Sequence, residues 1–156
     1  AFGMIFGASL AVFLAFIKEY NQGLIYSLNN FKALIPYKFL FKVSKKKFDT
    51  SKEVFDLLLE ANLIKENNPL VLMTLSKSIT ENDELFFNNL KVFIEEKGRK
   101  LIISNNLIET RKYPSKILLV QSGSITKNDL IDFLDRINLQ KDSVKGWIYL
   151  ENNCLN

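Results

Sequence analysis

The sequence predicts an α/β domain behind an N-terminal transmembrane helix, the domain being a small, mainly parallel sheet of about four strands flanked by helices. Three observations lead there. Ala1 to Ile17 contains no charge and only Ser9 as a polar side chain. From residue 67 onward, strand-length apolar runs alternate with helix-length amphipathic stretches, which implies βαβ crossovers. Positive charge collects between the two regions: residues 18–52 carry eight Lys against Glu19 and Asp49, while residues 53–156 carry 13 basic and 15 acidic residues.

Seventeen helical residues reach roughly 25 Å, a turn short of a ~30 Å hydrocarbon core. The chain opens on Ala1, and the expectation is a fragment whose missing turn lies upstream. Gly3, Gly7, Ala11 and Ala15 recur at every fourth position, a stripe that lets a second helix approach closely in lipid. Ordinary Gly and Ala content of a span explains them equally well. The Lys-rich flank assigns residues after 19 to the cytoplasmic side of the membrane, with a polybasic stretch against anionic lipid. Because the basic residues sit in the connector and not in the domain, no nucleic-acid partner is expected.

Residues 1–19 are thus read as the span, 20–66 as a connector with one helix, and 67–156 as the α/β domain. Gly23, Pro36 and Lys45-Lys46-Lys47 interrupt any long period in the connector. Thr50-Ser51-Lys52-Glu53 has capping-box spacing and opens a helix with Val54, Leu57, Leu58 and Ala61 on one face. Asn67-Asn68-Pro69 ends it. Leu70–Leu75 is a buried strand. Thr80 caps a helix reaching about Lys97, with Phe86, Leu90, Phe93 and Ile94 inward and Gly98 as its stop. Strands follow at 101–103, 117–120 and 147–150, with a Thr126-capped helix carrying Leu130, Phe133, Leu134 and Ile137 before the last. Ser76, Ser78-Ile79-Thr80, Asn82 and Asp83 recur 46 residues later as Ser122, Ser124-Ile125-Thr126, Asn128 and Asp129. Two loops that each turn a strand into a capped helix explain this echo.

The chain has no His and one Cys, Cys154. Ser-His-Asp and Cys-His catalysis, His-ligated metals and multi-Cys metal sites are excluded within it.

The order of elements resembles the C-terminal part of a bacterial polysaccharide co-polymerase, a chain-length determinant whose cytoplasmic domain is often a tyrosine autokinase. Asn30-Phe31-Lys32-Ala33-Leu34-Ile35-Pro36 resembles the connector after the second membrane helix. Lys116 to Leu130 resembles a late strand, loop and helix, and Val144 to Asn152 the closing strand. The resemblance covers nearly the whole chain in outline and implies a reduced P-loop-like fold.

The departures decide what the resemblance implies for chemistry. A kinase of this kind needs G-x-x-x-x-G-K-[ST] after the first strand. The degenerate phosphate-loop position here is Ser76, Lys77, Ser78, Thr80, Asn82 and Asp83, without Gly, and Glu81, Asp83 and Glu84 crowd the first helical turn. A nucleotide phosphate would meet like charge there. Ser104 and Asn106 stand where the second motif has two Asp. No Tyr cluster follows Leu150. The expectation is therefore no catalytic, cofactor or metal residue. The chain is expected to be a non-catalytic membrane protein in polymerisation, chain-length control or export of a surface polysaccharide (capsule, exopolysaccharide or O-antigen). Its expected partners are inner-membrane lipid, further copies through the membrane helix, and the polymerase or export machinery. The alternatives are an active ATP-dependent tyrosine autokinase and a membrane-anchored cytoplasmic adaptor unrelated to polysaccharide.

Overall fold

A computed structural model describes residues 10–14, 17, 23–45, 50–64, 68–76, 79–140 and 143–152. Five strands, all parallel, form one sheet: β1 (Phe39–Lys45), β2 (Leu70–Thr74), β3 (Leu101–Ser104), β4 (Ser115–Gln121) and β5 (Ser143–Asn152). Their order across the sheet is β1-β5-β4-β2-β3. The helices packed on the sheet are α1 (Leu28–Leu34), α2 (Thr50–Glu60), α3 (Glu81–Glu96), the single turn α4 (Leu107–Thr110) and α5 (Lys127–Gln140).

Strand periodicity sends alternate side chains to opposite faces. Val71, Met73, Leu118, Val120, Trp147 and Tyr149 meet Phe31 of α1, Leu107 of α4, and Leu130, Leu134 and Ile137 of α5. Leu70, Leu72, Ile117, Leu119, Ile148 and Leu150 meet Val54 and Leu58 of α2 and Phe86, Leu90 and Ile94 of α3. Both faces of the inner strands are covered, which is why their sequences read as unbroken apolar runs.

The helices that lead the chain toward β3, α2 and α3, lie on one face. Those that lead it back, α4 and α5, lie on the other, as crossovers of one hand require. Neighbouring strands β2 and β4 therefore send their outgoing connections to opposite faces. That is a topological switch point, and in open α/β sheets the crevice beyond the carboxyl ends of such strands is the habitual ligand position.

Two expectations are corrected. Among the described residues no helix is long and apolar enough to cross a membrane, so the transmembrane helix over 1–19 is not retained, nor is the inner-membrane placement that rested on it. The uncharged run is seventeen residues long, short of the ~20 that a span needs. Of that stretch the structure describes Leu10–Leu14 and Ile17, which are helical and exposed. Ala11 is among these; Gly3, Gly7 and Ala15 lie outside the described residues.

The sheet has five strands and not four. The additional one, β1, falls in the stretch read as a connector. Phe41 and Val43 face the α2 and α3 side, Phe39 faces the other side across a register shift between Phe39 and Phe41, and the strand pairs with β5 from Phe39↔Trp147 to Lys45↔Asn152. Val43 is buried against α2 and α3. The Lys-rich composition of the segment obscured a strand whose inward positions are apolar. Phe31, Ile25 and Ile35 from the same stretch lie in the other core.

Gly146 makes the close approach between β1 and β5 possible. Its φ is +155°, and an added Cβ would lie 2.7 Å from the Lys38 carbonyl oxygen and from the Leu40 side chain. Backbone cannot yield as a flexible side chain does, so Gly146→Ala should destabilise the domain by more than about 1 kcal/mol. Urea melting measures it, and an unchanged midpoint would show that β1 is not held at this distance.

Candidate functional site

The switch-point crevice is bordered by the end of β2 and the start of α3 on one side and by the end of β4 and its following loop on the other. Leu70–Thr74 is wholly buried and the chain then turns through Ser76, also buried, whose N–H donates to Thr74 Oγ1 at 3.3 Å. Lys77 and Ser78 lie outside the described residues. Thr80 is the N-cap of α3, as its sequence position implies: its hydroxyl accepts from Asp83 N–H at 3.3 Å, and the Asp83 carboxylate accepts from Thr80 N–H at 3.0 Å. This reciprocal box satisfies backbone donors that have no partner within the helix. Asn82, Glu81 and Glu84 are exposed.

Asp83 is the exception in that acidic turn, at 3 % exposure. Its Oδ2 accepts from the Thr80 N–H and from the Thr80 hydroxyl, the latter at 2.7 Å. Its Oδ1 accepts from Gln121 Nε2 at 3.2 Å and from Lys45 Nζ in a short ion pair. Lys45 is the last residue of β1 and Gln121 the last of β4, so two strands and one helix converge on one carboxylate. Burial by itself would raise the Asp83 carboxyl, but the Lys45 ammonium and the Thr80 bonds outweigh it and hold the group at about 2. It is therefore ionised throughout the neutral range. The negative charge that a helix start attracts is already present, and it belongs to the protein.

The segment from Gly23 to Ser27 lies along the β4–α5 loop. Leu24 forms an antiparallel bridge with Thr126, Ile25 N–H donates to the Ile125 carbonyl at 3.0 Å, and Gly123 N–H donates to the Ile25 carbonyl at 2.8 Å. Ser122 Oγ and Tyr149 Oη both donate to the Tyr26 carbonyl, at 3.0 and 2.6 Å. The Tyr26 ring lies so close over Gly123 that a Cβ there would be 2.6 Å from it, and Gly123 has φ +69°. Only glycine meets both demands without strain.

The 46-residue echo has a structural counterpart. Asp129 N–H donates to Thr126 Oγ1 at 3.1 Å and Thr126 Oγ1 donates to Asp129 Oδ2 at 2.7 Å, as at Thr80 and Asp83. Both loops lead a buried parallel strand into a capped helix.

Ser104 and Asn106 serve the turn after β3. Ser104 Oγ accepts from Asn106 N–H at 3.0 Å and donates to Glu109, while Asn106 Oδ1 accepts from Ile108 N–H at 2.9 Å. At the rim of β1 and β5, Glu151 takes Lys42 Nζ at 2.8 Å and the Ser44 hydroxyl at 3.0 Å, and Lys42 followed by Ser44 lowers its carboxyl. Among the described residues no group of three or more His, Cys, Asp or Glu is placed to hold a metal ion.

Lys45 and Gln121 are the site residues that the sequence reading missed. Lys45 reads as the first of a solvated Lys run, and Gln121 as the polar end of a strand. The apolar run Phe39-Leu40-Phe41 followed by Val43 was the available signal, because a strand ending at Lys45 brings that side chain to the carboxyl edge of the sheet.

No family model, curated protein or solved structure matches the chain.

Proposed function

We propose that the chain is a non-catalytic α/β domain, built on a nucleotide-binding type of frame, that acts as a regulatory or scaffolding part of a larger assembly. One observation carries this reading. At the start of α3, beside the switch-point crevice, the buried Asp83 carboxylate already takes the Lys45 and Gln121 donors. A nucleotide site at that place must offer backbone N–H groups, a free cation and a metal-holding carboxylate to several negative charges. Among the described residues Lys45, the cation beside the crevice, is committed to Asp83; the 76–84 loop lacks Gly, and Glu81 and Glu84 add exposed negative charge. These residues do not fit a nucleotide with its metal, so no phosphoryl-transfer step is derived. The assignment to polymerisation, chain-length control or export of a surface polysaccharide, with the polymerase or export machinery as partner, rests on the sequence resemblance alone.

Titration calorimetry of the purified chain with ATP and Mg²⁺ tests it. The expected result is no heat above a buffer control at millimolar nucleotide. Saturable binding with a rise in melting temperature would replace this reading with the autokinase alternative.

A further inference from the structure

The two oxygens of Asp83 have separate partners. Oδ2 receives the Thr80 N–H and hydroxyl, which completes the helix cap, just as Thr126 serves Asp129 at the start of α5. Oδ1 takes no part in capping. It receives Lys45 Nζ from the end of β1 and Gln121 Nε2 from the end of β4. A cap needs neither of these, and helix starts are ordinarily satisfied by a local side chain. Gln121 is buried, and the Lys45 side chain is 22 % exposed. A cation and an amide from different strands thus converge on one oxygen, at the crevice where open α/β sheets take their ligands.

We propose that Lys45 and Gln121, together with the Thr80 N–H and hydroxyl, form a carboxylate-binding hole whose occupant is the chain's own Asp83. The ligand class follows from the donors. Lys45 supplies one positive charge, and the two pairs of donors address the two oxygens of a planar carboxylate separately. Removing the Asp83 side chain leaves a cation and an amide with their shared acceptor gone, in a place where an unsatisfied group is costly. A small free monocarboxylate then restores what was lost. The inference rests on the reading of this crevice as self-filled, but the two fail separately. ATP binding by the native chain would overturn that reading, whereas the hole is tested with formate on a variant.

The experiment is thermal melting of the full chain carrying Asp83→Ala, in sodium formate and in sodium chloride at matched ionic strength near neutral pH. Formate should raise the melting temperature of Asp83→Ala by several degrees over chloride, and should not do so for the native chain. Adding Lys45→Met to Asp83→Ala should abolish the response. If Asp83→Ala does not fold in chloride, the readout becomes the native signal recovered on refolding in formate, with the same Lys45→Met control. Equal stabilisation by the two salts, an equal response in the native chain, or a response that survives Lys45→Met would overturn the proposal. So would an Asp83→Ala chain that stays unfolded in both salts.

Discussion

Lys45→Met should cost the domain about 3–5 kcal/mol, because it strands a buried carboxylate. Asp83 is 3 % exposed and ionised, and Gln121 with Thr80 supplies only neutral donors to it. The loss is an uncompensated charge more than a lost attraction. Asp83→Asn added to Lys45→Met should therefore recover a substantial part of it, since the amide carries no charge to strand. Urea melting of the two single variants and the double variant closes the cycle. Additive losses would mean that the pair is not coupled, and the account of the crevice given above would fail with it.

The same pair sets a direction for acid stability. The Asp83 carboxyl is lowered from 3.8 to about 2 by folding. The folded state then binds fewer protons than the unfolded state, so this contribution is complete above pH 3.8 and is lost as the pH falls toward 2. Its size is on the order of 2 kcal/mol. In Lys45→Met only the Thr80 and Gln121 hydrogen bonds oppose the effect of burial, and the acid transition should begin at a higher pH.

Trp147→Ala should be comparably damaging. Trp147 is 1 % exposed in the strand that joins β1 to the sheet. Its ring lies 4.8 Å from Phe39 and 6.4 Å from Phe31, and Nε1–H donates to the Tyr37 carbonyl at 3.1 Å. Truncating a buried aromatic of this size costs about 3–5 kcal/mol, and here a backbone carbonyl also loses its donor. A whole domain has about 5–15 kcal/mol in hand. Circular dichroism is the appropriate probe, since Trp147 is the only Trp. Trp147→Phe should lose less, and a cost below about 1 kcal/mol for Trp147→Ala would show that α1 and β1 repack without it.

What the sequence disclosed divides along physical lines. The strands read at 70–75, 117–120 and 147–150 and the helices after Thr80 and Thr126 were legible, though the last two strands run longer, because continuous apolar runs and capping spacings are local signals. β1 was hidden because Lys42 interrupts its apolar residues and Lys45-Lys46-Lys47 follows them, so that the segment reads as a solvated connector. The apolar start was overread as a span, because hydropathy counts apolar residues and does not say what they meet. At the crevice, Asp83 and its cap with Thr80 were legible three residues apart. Its partners Lys45 and Gln121 lie 38 residues away on either side, and no local pattern pairs them. Lys116, buried beside the Tyr113 carbonyl at the start of β4, is equally silent in a sequence, where a lysine defaults to solvent.

The position of β1 has a consequence for how the chain is made. It is the first strand in sequence, yet its sheet neighbour is β5, the last: Phe39 waits for Trp147. During synthesis β2, β3 and β4 can assemble with α3 and α5 as they emerge, but β1 has no parallel edge to join until some hundred further residues have been added. Until then Phe39, Phe41 and Val43 stay in water, on a segment whose lysines oppose pairing with another chain. The charge that disguised the strand in the sequence thus works as a gatekeeper on the nascent polypeptide. Closure of the sheet at β1, where Lys45 meets Asp83, therefore has to follow the emergence of β5.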